Sequence, residues 1–174
     1  MDCIKLNLNK ELFEKINLRP ADFSDRDILL EWRNNIKVRE KSFNSQIISK
    51  EEHEKWFNEV LKSEYVILLI GLLGKKRIGQ IRFNINEKIA KISVNVSPDI
   101  IGKGFGPILI IKGSKFLFEN TNCEEIIAEI KSDNIASIKA FSKSGFTEIA
   151  SDGNKISMRA TKKDFFNLIA KLEQ

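Results

Sequence analysis

The sequence predicts an α/β fold in which flanking helices pack on a mixed, mostly antiparallel central sheet. Three strand-like segments follow one another between Tyr65 and Val96, and the short turns between them imply antiparallel pairing. Amphipathic helical patterns precede these strands, and a loop, a helix, a strand and a further helix follow them. The 174 residues are 42% hydrophobic and 30% charged, a composition typical of globular domains that need no disulfide or metal to stabilise the core.

The first half of the chain contains clear helix signals. We interpret residues 1–14 as an N-terminal arm or strand and residues 15–174 as a single domain, because no internal repeat or low-complexity tract interrupts them. Ile16–Arg19 is the first predicted strand, and residues 36–48 are irregular, as is typical of a binding surface. Two capping boxes predict helices: Ser24 with Asp27, for a helix ending at Asn34, and Ser49 with Glu52, for a helix over residues 49–63.

The second half of the chain is predicted to alternate strands and helices. The predicted strands are Tyr65–Leu72, Ile78–Ile85, Ile89–Val96, Ile126–Ile130, Thr147–Ile149 and Lys155–Arg159. The predicted helices are Pro107–Glu119, Ile135–Ser144 with Gly145 at its C-terminal end, and a tail helix begun by a capping box of Thr161 with Asp164. The tail helix carries an apolar stripe, interpreted as core packing or as the contact of a homodimer: Phe165, Leu168, Ile169 and Leu172.

Composition and charge exclude several classes of protein. The longest apolar stretch, Val66–Leu73, is far shorter than the ~20 residues that cross a bilayer, and no signal-peptide pattern is present; we expect a cytoplasmic protein with no membrane partner. Cys3, Cys123 and His53 lack metal-ligand spacing, so no metal is expected. The net charge of +5 favours an anionic partner, but no basic stripe predicts nucleic-acid binding.

A glycine-rich loop, Ile101–Gly106, joins a predicted strand to a predicted helix. Successive backbone N–H groups and the positive end of a helix can converge on a phosphate in such a loop. The loop lacks the Walker pattern, because no Gly-Lys-Ser/Thr follows, and it lacks the dinucleotide fingerprint, because Pro107 stands where that pattern has glycine. The loop therefore predicts a pyrophosphate site of another kind, or simply a tight turn.

Two motifs accompany this loop. The segment Val94-Asn95-Val96-Ser97-Pro98-Asp99 leads into Gly102-Lys103-Gly104-Phe105-Gly106, and Asn134-x-x-Ser137-x-x-x-Phe141-x-Lys143 begins the helix after the next strand. Together with the order of elements, these motifs resemble the acyl-CoA N-acyltransferase superfamily, called GNAT, over residues 16–160. The resemblance implies a sheet that splays between its fourth and fifth core strands, near Val96 and Ile126, where the pantetheine of CoA inserts like an extra strand.

The resemblance also implies the residues that bind acetyl-CoA, the expected co-substrate. Backbone groups around Val94, Asn95 and Val96 would hold pantetheine, and Asn134 would contact it too. The pyrophosphate would be held by the loop, which comprises Ile101, Gly102, Lys103, Gly104, Phe105 and Gly106. On the helix that follows, Ser137, Phe141 and Lys143 complete the expected cofactor-binding set, while Lys139 and Lys143 either neutralise CoA phosphates or are ordinary solvated lysines.

The sequence departs from the family pattern at two of these positions. Ile101 stands where the family usually has Arg or Gln, which should not abolish a grip made mainly by backbone amides. Phe141 stands where many relatives have a tyrosine that is suspected of protonating the departing thiolate. Because a thiol has a pKa near 8.5, its thiolate can leave without a dedicated acid.

Two residues are candidates for the general base that accepts the proton of the attacking amine. Glu129 matches the glutamate of the family pattern Glu-x-Arg/Lys-x-x-Asn, and would act directly or through a water; the alternative is a surface carboxylate paired with a lysine. His53 has a side chain whose ordinary pKa, near 6.5, suits proton abstraction. The alternative for His53, three residues before Trp56 on an amphipathic helix, is packing or capping.

The first half of the chain carries a substrate signal. Trp32-Arg33-Asn34, Val38-Arg39 and Glu52-His53-x-x-Trp56-Phe57 resemble the pseudaminic-acid branch of the family, whose enzymes acetylate the 4-amino group of a UDP-linked amino-dideoxy sugar. The expected substrate-binding residues are Arg33, Asn34, Arg39, Trp56 and Phe83. Arg33 or Arg39 would pair with the diphosphate, and Trp56 or Phe83 would stack against a base or sugar. Each of them can equally be structural.

The sequence therefore predicts an N-acetyltransferase that uses acetyl-CoA, without a metal, on a small-molecule amine such as a nucleotide sugar in surface-glycan synthesis. Related parts of the same pattern occur in ribosomal-protein N-terminal acetyltransferases, so acetylation of a peptide N-terminus is the alternative enzyme. A CoA-binding module without catalysis is a second alternative, which Phe141 favours. An interaction domain that uses the apolar stripe of the tail helix is a third.

Overall fold

A seven-stranded sheet forms the centre of the fold, as seen in the computed structural model, which describes residues 10–172. The strands are β1 Ile16–Pro20, β2 Val66–Leu73, β3 Lys76–Asn86, β4 Ile89–Val96, β5 Glu125–Lys131, β6 Thr147–Ser151 and β7 Lys155–Thr161. Their order in the sheet is β1-β2-β3-β4-β5-β7-β6, and only β4 and β5 are parallel neighbours. This arrangement confirms the mixed, mostly antiparallel α/β fold.

Helices cover both faces of the sheet. They are α1 Lys10–Lys15, α2 Arg26–Asn34, α3 Ile36–Arg39, α4 Lys50–Lys62, α5 Phe105–Asn120, α6 Ile135–Lys143 and α7 Lys162–Leu172. Helices α5, α6 and α7 contribute to the main core, whereas α2 and α4 form a second core on β2. Within residues 10–172, no helix has the length and hydropathy needed to cross a membrane.

The apolar pattern of the strands explains these two cores. Strand β2 is apolar throughout because Leu69 is buried in the main core while Leu68 and Ile70 are buried in the second core. Strand β3 instead alternates, and Ile81 and Phe83 point into the main core with no exposed surface. Because side chains alternate between the two faces of a strand, the polar residues of β3 lie on the face opposite α5.

The parallel strands β4 and β5 separate partway along their length. They pair over only four positions, from Ile89 beside Glu125 to Ile92 beside Ala128. Beyond that point β4 continues to Val96 along β3, and β5 continues to Lys131 along β7. The predicted splay between the fourth and fifth strands is therefore confirmed, and it opens a gap toward the carboxyl ends of both strands.

The N-terminal elements differ from the sequence prediction in two places. Residues 10–15 form a short helix, and the partly buried Leu12 and Phe13 pack against the main core, so this part of the predicted arm or strand is wrong; residues 1–9 lie outside the described residues. The capping box of Ser24 with Asp27 is also wrong. Asp22 and Asp25 form the capping box instead, around a 3-10 helix that precedes α2.

Other local predictions are confirmed. Ser49 and Glu52 form the capping box of α4, and the Asp164 N–H donates to the Thr161 hydroxyl at the start of α7. In α7, Phe165 and Ile169 are buried in the main core, which favours the core interpretation of the apolar stripe; the side chain of Leu172 lies outside the described residues. Within the segment predicted as irregular, residues 36–39 form α3.

A buried carboxylate ties α2 to the sheet. Asp25 is fully buried, and its carboxylate accepts two hydrogen bonds of 2.7 Å from Arg19 on β1 and one of 2.7 Å from Arg77 on β3. Its side chain also accepts from the backbone N–H of Asp22 at 2.9 Å. Burial by itself raises the pKa of Asp25, but these hydrogen bonds together outweigh burial and hold the pKa below its ordinary value.

Replacement of Asp25 by Asn is expected to lower the free energy of unfolding by about 3 kcal/mol, as when one partner of a buried ion pair is removed. Because the folded-state pKa of Asp25 lies below the unfolded value of about 3.9, its stabilisation is complete above that pH and is lost as the pH falls through the folded-state pKa. The variant should lack this acid-dependent loss. Urea unfolding at neutral and acidic pH measures both effects.

Asp27→Asn is the matched control, because the Asp27 side chain is 77% exposed and pairs only at the surface with Arg26. It should leave the midpoint of unfolding almost unchanged. Equal stability of the two variants would contradict a stabilising role for the Asp25 carboxylate.

Candidate active site

A groove of about 850 Å³ lies at the gap between β4 and β5. Its walls are the end of β4, the glycine-rich loop, the start of α5, the end of β5, α6 and the segment that begins with α3. These elements come from distant parts of the chain. The separation of the two strands brings them together.

The end of β4 presents backbone groups to the gap. The Ser97 N–H donates to the Ile78 carbonyl oxygen at 2.9 Å, on the β3 side. Because backbone polar groups of successive strand residues point to alternate sides, those of Val94 and Val96 point away from β3, where β5 no longer pairs with β4. This edge offers an extended ligand the hydrogen bonds that a neighbouring strand would make.

The glycine-rich loop has the conformation expected of an anion site. Gly102 and Gly104 have φ angles of +82° and +85°, in the left-handed region that glycine tolerates best. A Cβ atom at either residue would have no neighbour within 4 Å, so both face open space. Gly104 precedes α5 without a side-chain cap, which leaves the first amides of the helix open to a ligand.

The loop residues do not contribute equally to the groove. Ile101, Gly102, Gly104, Phe105 and Gly106 line it, whereas Lys103 does not. The Phe105 side chain is only 8% exposed, because it is part of the main core and anchors the loop from behind. Any contact that Phe105 makes with a ligand therefore comes mainly from its backbone.

The start of α6 lies across the groove from this loop. The Asn134 side-chain oxygen caps the helix by accepting from the Ser137 N–H at 3.2 Å, so its amide nitrogen is the group left to donate. Asn134, Ser137 and Lys143 line the groove as predicted, together with Lys139. Phe141 also lines it, but it is 4% exposed and packs edge-to-face on Phe146 with ring centroids 5.0 Å apart.

Glu129 lies one residue beyond the last pair between β4 and β5 and lines the groove. Its carboxylate forms ion pairs with Lys91 and, at 3.2 Å, with Lys155. The hydrogen bond from Lys91 is the main cause that lowers the pKa of Glu129; burial opposes it and Lys155 adds to it. Glu129 is therefore ionised at neutral pH and is the lysine-paired carboxylate of the alternative interpretation; its role as a general base stays a prediction.

His53 is not in the groove. It is 3% exposed, lies between α2 and α4, and places its Nε2 2.8 Å from the Arg26 carbonyl oxygen. Burial lowers its pKa, although this hydrogen bond opposes the effect. A carbonyl only accepts hydrogen bonds, so Nε2 carries the proton and Nδ1 is the basic nitrogen of the ring. That ring is buried outside the groove, where it cannot reach an amine bound in the groove. The structure contradicts His53 as a base, and no cluster of acidic, His or Cys side chains in residues 10–172 is arranged to hold a metal.

Three predicted substrate-binding residues instead organise the segment 40–48. Arg33 donates to the Asn44 carbonyl oxygen at 2.7 Å, and Arg39 donates to the carbonyl oxygens of Asn34 and Ser45 at 3.0 and 2.9 Å. The Asn34 side chain bonds both backbone groups of residue 48, at 2.8 and 2.9 Å. None of the three lines the groove. Their hydrogen bonds shape the wall that contains Phe43, although Arg33 Nη1 is buried without a hydrogen-bond partner among the described residues.

The two aromatic residues predicted to contact the substrate, Phe83 and Trp56, do not line the groove either. Phe83 has no exposed surface and belongs to the main core, so it has no free face on which a base or sugar could stack; that prediction is wrong. Trp56 is partly buried against the second core and does not line the groove. Its ring instead lies under Arg82, whose guanidinium carbon is 5.5 Å from the ring centroid.

The basic residues on the sheet face opposite α5 are not among those predicted from the sequence. Arg82 on β3, Lys91 on β4 and Lys131 on β5 all line the groove, on three consecutive strands of the sheet. A signal for them was available, because each occupies a polar position in an alternating strand whose other positions are apolar. The fold decides which of these polar strand positions are left uncovered by helices.

Comparison with known proteins agrees with this geometry. A family model described as the acetyltransferase (GNAT) domain matches residues 15–147. Acetyltransferase PseH from Campylobacter jejuni subsp. jejuni is 23% identical over 156 residues, which cover 89% of this chain and 91% of PseH.

Solved structures share the fold. Spermidine N-acetyltransferase from Vibrio cholerae, in complex with CoA and spermine, has a TM-score of 0.81 at 20% identity, over 88% of this chain and 99% of that one. Aminoglycoside acetyltransferase AAC(6')-Ib in complex with CoA has a TM-score of 0.74 at 20% identity, over 87% and 98%. Because the family match spans the parted strands, the glycine-rich loop and α6, this chain belongs to the GNAT acetyltransferases and is an acetyl-CoA-dependent N-acetyltransferase.

Proposed function

We propose that this enzyme acetylates the 4-amino group of a UDP-linked amino-dideoxy sugar. The observation that carries the proposal is the charge of the groove. Among residues 10–172, two acidic side chains line it, Glu40 and Glu129. Seven basic side chains line it: Lys37, Lys41, Arg82, Lys91, Lys131, Lys139 and Lys143.

The basic residues fall into two groups. Lys139 and Lys143 lie on α6, where they suit the phosphates of CoA. The other five line the groove from the sheet face opposite α5 or from the segment 37–41. Glu129 is already compensated by Lys91 and Lys155, so the acceptor side has an excess of positive charge. A groove with this field concentrates anions such as a nucleotide diphosphate.

The same field disfavours the substrates of the solved relatives. Spermidine and the aminoglycosides are polycations at neutral pH, and sites that bind polycations need a surplus of carboxylates. Such a surplus is missing among the described residues that line this groove. The similarity to PseH and the pseudaminic-acid-branch pattern at Trp32-Arg33-Asn34 and His53-x-x-Trp56 support a sugar nucleotide instead.

On this proposal, acetyl-CoA occupies the gap between β4 and β5. Backbone groups of Val94 and Val96 bond the pantetheine, and the amides around Gly102 and Gly104 bond the pyrophosphate at the start of α5. The amide nitrogen of Asn134 adds a contact from the opposite wall. The free strand edge and the open faces of the two glycines are the features that support this placement.

Acetyl transfer then needs little acid–base help from the protein. The neutral amine attacks the thioester carbonyl, a C–N bond forms, and the C–S bond breaks with its electron pair leaving on the CoA sulfur. The proton released by the nitrogen goes to Glu129 through a water. Phe141 has no proton to give, and the thiolate leaves unprotonated because its pKa is near 8.5.

The variant Gly104→Asp is expected to weaken acetyl-CoA binding by at least about tenfold, because it places a negative charge and a side chain where the phosphate would lie. Calorimetric titration with acetyl-CoA measures the effect. Gly153→Asp is the matched control: Gly153 has a φ of +87° and open space for a Cβ, but it lies in the β6–β7 turn and does not line the groove. Unchanged binding by Gly104→Asp would contradict the assigned pyrophosphate site.

The variant Glu129→Gln is expected to lower kcat by roughly 100-fold at saturating substrates, the lower range for loss of a general base, because the lowered pKa makes Glu129 a weak one. Release of the CoA thiol measures turnover. Glu129 is ionised above its lowered pKa, so its titration does not change activity between about pH 6 and pH 9. A rise of activity over this range reports deprotonation of the substrate amine and should persist in the variant. Glu125→Gln, on the same face of β5 and paired with Arg159, should retain activity; equal activity of both variants would remove Glu129 as the base.

A panel of amines tests the substrate class directly. The enzyme is expected to release CoA thiol with a UDP-4-amino-sugar at a kcat/KM at least about 100-fold above that with spermidine, kanamycin or a neutral peptide, because the groove favours anions. Preference for the peptide would support the N-terminal acetyltransferase instead. Acetyl-CoA binding without turnover of any amine would support a binding module without catalysis.

A further inference from the structure

Arg82 differs from every other arginine of the chain. All seven arginines lie within the described residues. Five of them donate to a carboxylate or a carbonyl oxygen, namely Arg19, Arg26, Arg33, Arg39 and Arg77, and Arg159 forms an ion pair with Glu125. Arg82 has no oxygen partner in residues 10–172, and its Nε is buried without a hydrogen bond. A partly buried guanidinium without an acceptor is costly, because its lost hydration is not replaced.

The position of Arg82 explains how the fold holds such a group. It lies near the middle of β3, beside Leu68 on β2 and Ser93 on β4, and it lines the groove. Its guanidinium lies over the ring of Trp56 at 5.5 Å. A cation–π contact offsets only part of the desolvation of a cation, so the hydrogen-bonding capacity of the guanidinium remains unused.

The neighbours of Trp56 fix this arrangement. The His53 ring packs on Trp56 with centroids 5.3 Å apart and on Phe57 at 5.9 Å. The hydrogen bond from His53 Nε2 to the Arg26 carbonyl oxygen locks that stack against α2. The aromatic residues of α4 thus form a rigid support for the guanidinium, which accounts for a His-x-x-Trp-Phe pattern whose histidine is not in the groove.

We propose that Arg82 is the acceptor-side anion site, and that its guanidinium binds the diphosphate of the nucleotide-linked amine, with Trp56 and His53 as positioning residues. A guanidinium presents a planar fork of donors that matches phosphate oxygens, and it forms stronger, charge-assisted hydrogen bonds with them. Lys91 lies close by, on β4 beside Asn84 of β3, but its ammonium is already paired with Glu129. Arg82 therefore has the unused donors. The identity of the ligand rests on the proposed function; the existence of an anion site at Arg82 does not.

The first test is binding of UDP to the protein saturated with CoA, so that only the acceptor side is free. Calorimetry should show binding by the wild type and binding weaker by at least about tenfold in Arg82→Met, which keeps the apolar stem but removes the donors. Arg159→Met is the control, because Arg159 lies on the same sheet face but pairs with Glu125 and does not line the groove. No UDP binding by the wild type, or equal binding by Arg82→Met, overturns the proposal.

The second test separates this site from the proposed function. With a UDP-4-amino-sugar, Arg82→Met should raise KM at least about tenfold while kcat and the KM for acetyl-CoA stay close to wild type. With the methyl glycoside of the same amino sugar, kcat/KM should be the same in both proteins. Trp56→Leu should repeat the KM effect and Trp56→Phe should reduce it, because Phe keeps a ring under the guanidinium.

The outcomes are distinguishable. If the wild type does not acetylate the nucleotide sugar but UDP binding still requires Arg82, the proposed function fails and the anion site stands. If the wild type acetylates the nucleotide sugar and Arg82→Met has an unchanged KM, the proposed function stands and the role of Arg82 is overturned. Arg82→Lys keeps the folded protein testable where the Met variant is unstable, and it should bind UDP more weakly than the wild type because it lacks the planar fork.

Discussion

The separation of β4 from β5 is the constraint on which the rest of the structure depends. Strand pairing stops at Ile92 and Ala128 although both strands continue. Their outer edges remain bonded to β3 and β7, so only the inner edges lack partners. Unpaired backbone groups in a sheet interior are costly unless a ligand or water bonds them. The sheet is therefore locally incomplete in a way that an extended molecule can complete.

The elements around this gap are placed by the two strands that form it. The glycine-rich loop follows the end of β4, and α6 follows the end of β5, so the amides before α5 and the capping side chain of Asn134 face the same opening. Helix α5 keeps the loop in place because its apolar side chains are buried in the main core. Glu129 directly follows Ala128, the last residue of β5 that pairs with β4. The packing of α5 in the main core thus supports an open, polar surface at the gap.

Some polar residues near the groove are structural and others are available to a ligand. Motif similarity alone does not distinguish the two kinds. Arg33, Asn34 and Arg39 each form a hydrogen bond to the backbone of the segment 40–48. A motif can thus be characteristic of a branch because it shapes a wall of the groove, without contacting the substrate. Helices α2 and α4 cover only the β2 side of this face, and the basic positions of β3, β4 and β5 remain open to the groove as a consequence.

Elements whose signals are local could be predicted from the sequence. The Ser49 cap, strand Ile89–Val96 and the turn at Gly145 depend on residues within a few positions of each other, and the structure has them as predicted. The motifs shared with the GNAT family located the gap between β4 and β5 and the glycine-rich loop, because these motifs are also short stretches of sequence. The packing of distant segments sets which side chains are buried or paired: Phe83 and His53 are buried, and Asp25 lies between arginines of two different strands. Arg82 has no oxygen partner in the described part of the chain. Burial and pairing depend on which distant segments become neighbours, and no local pattern encodes that.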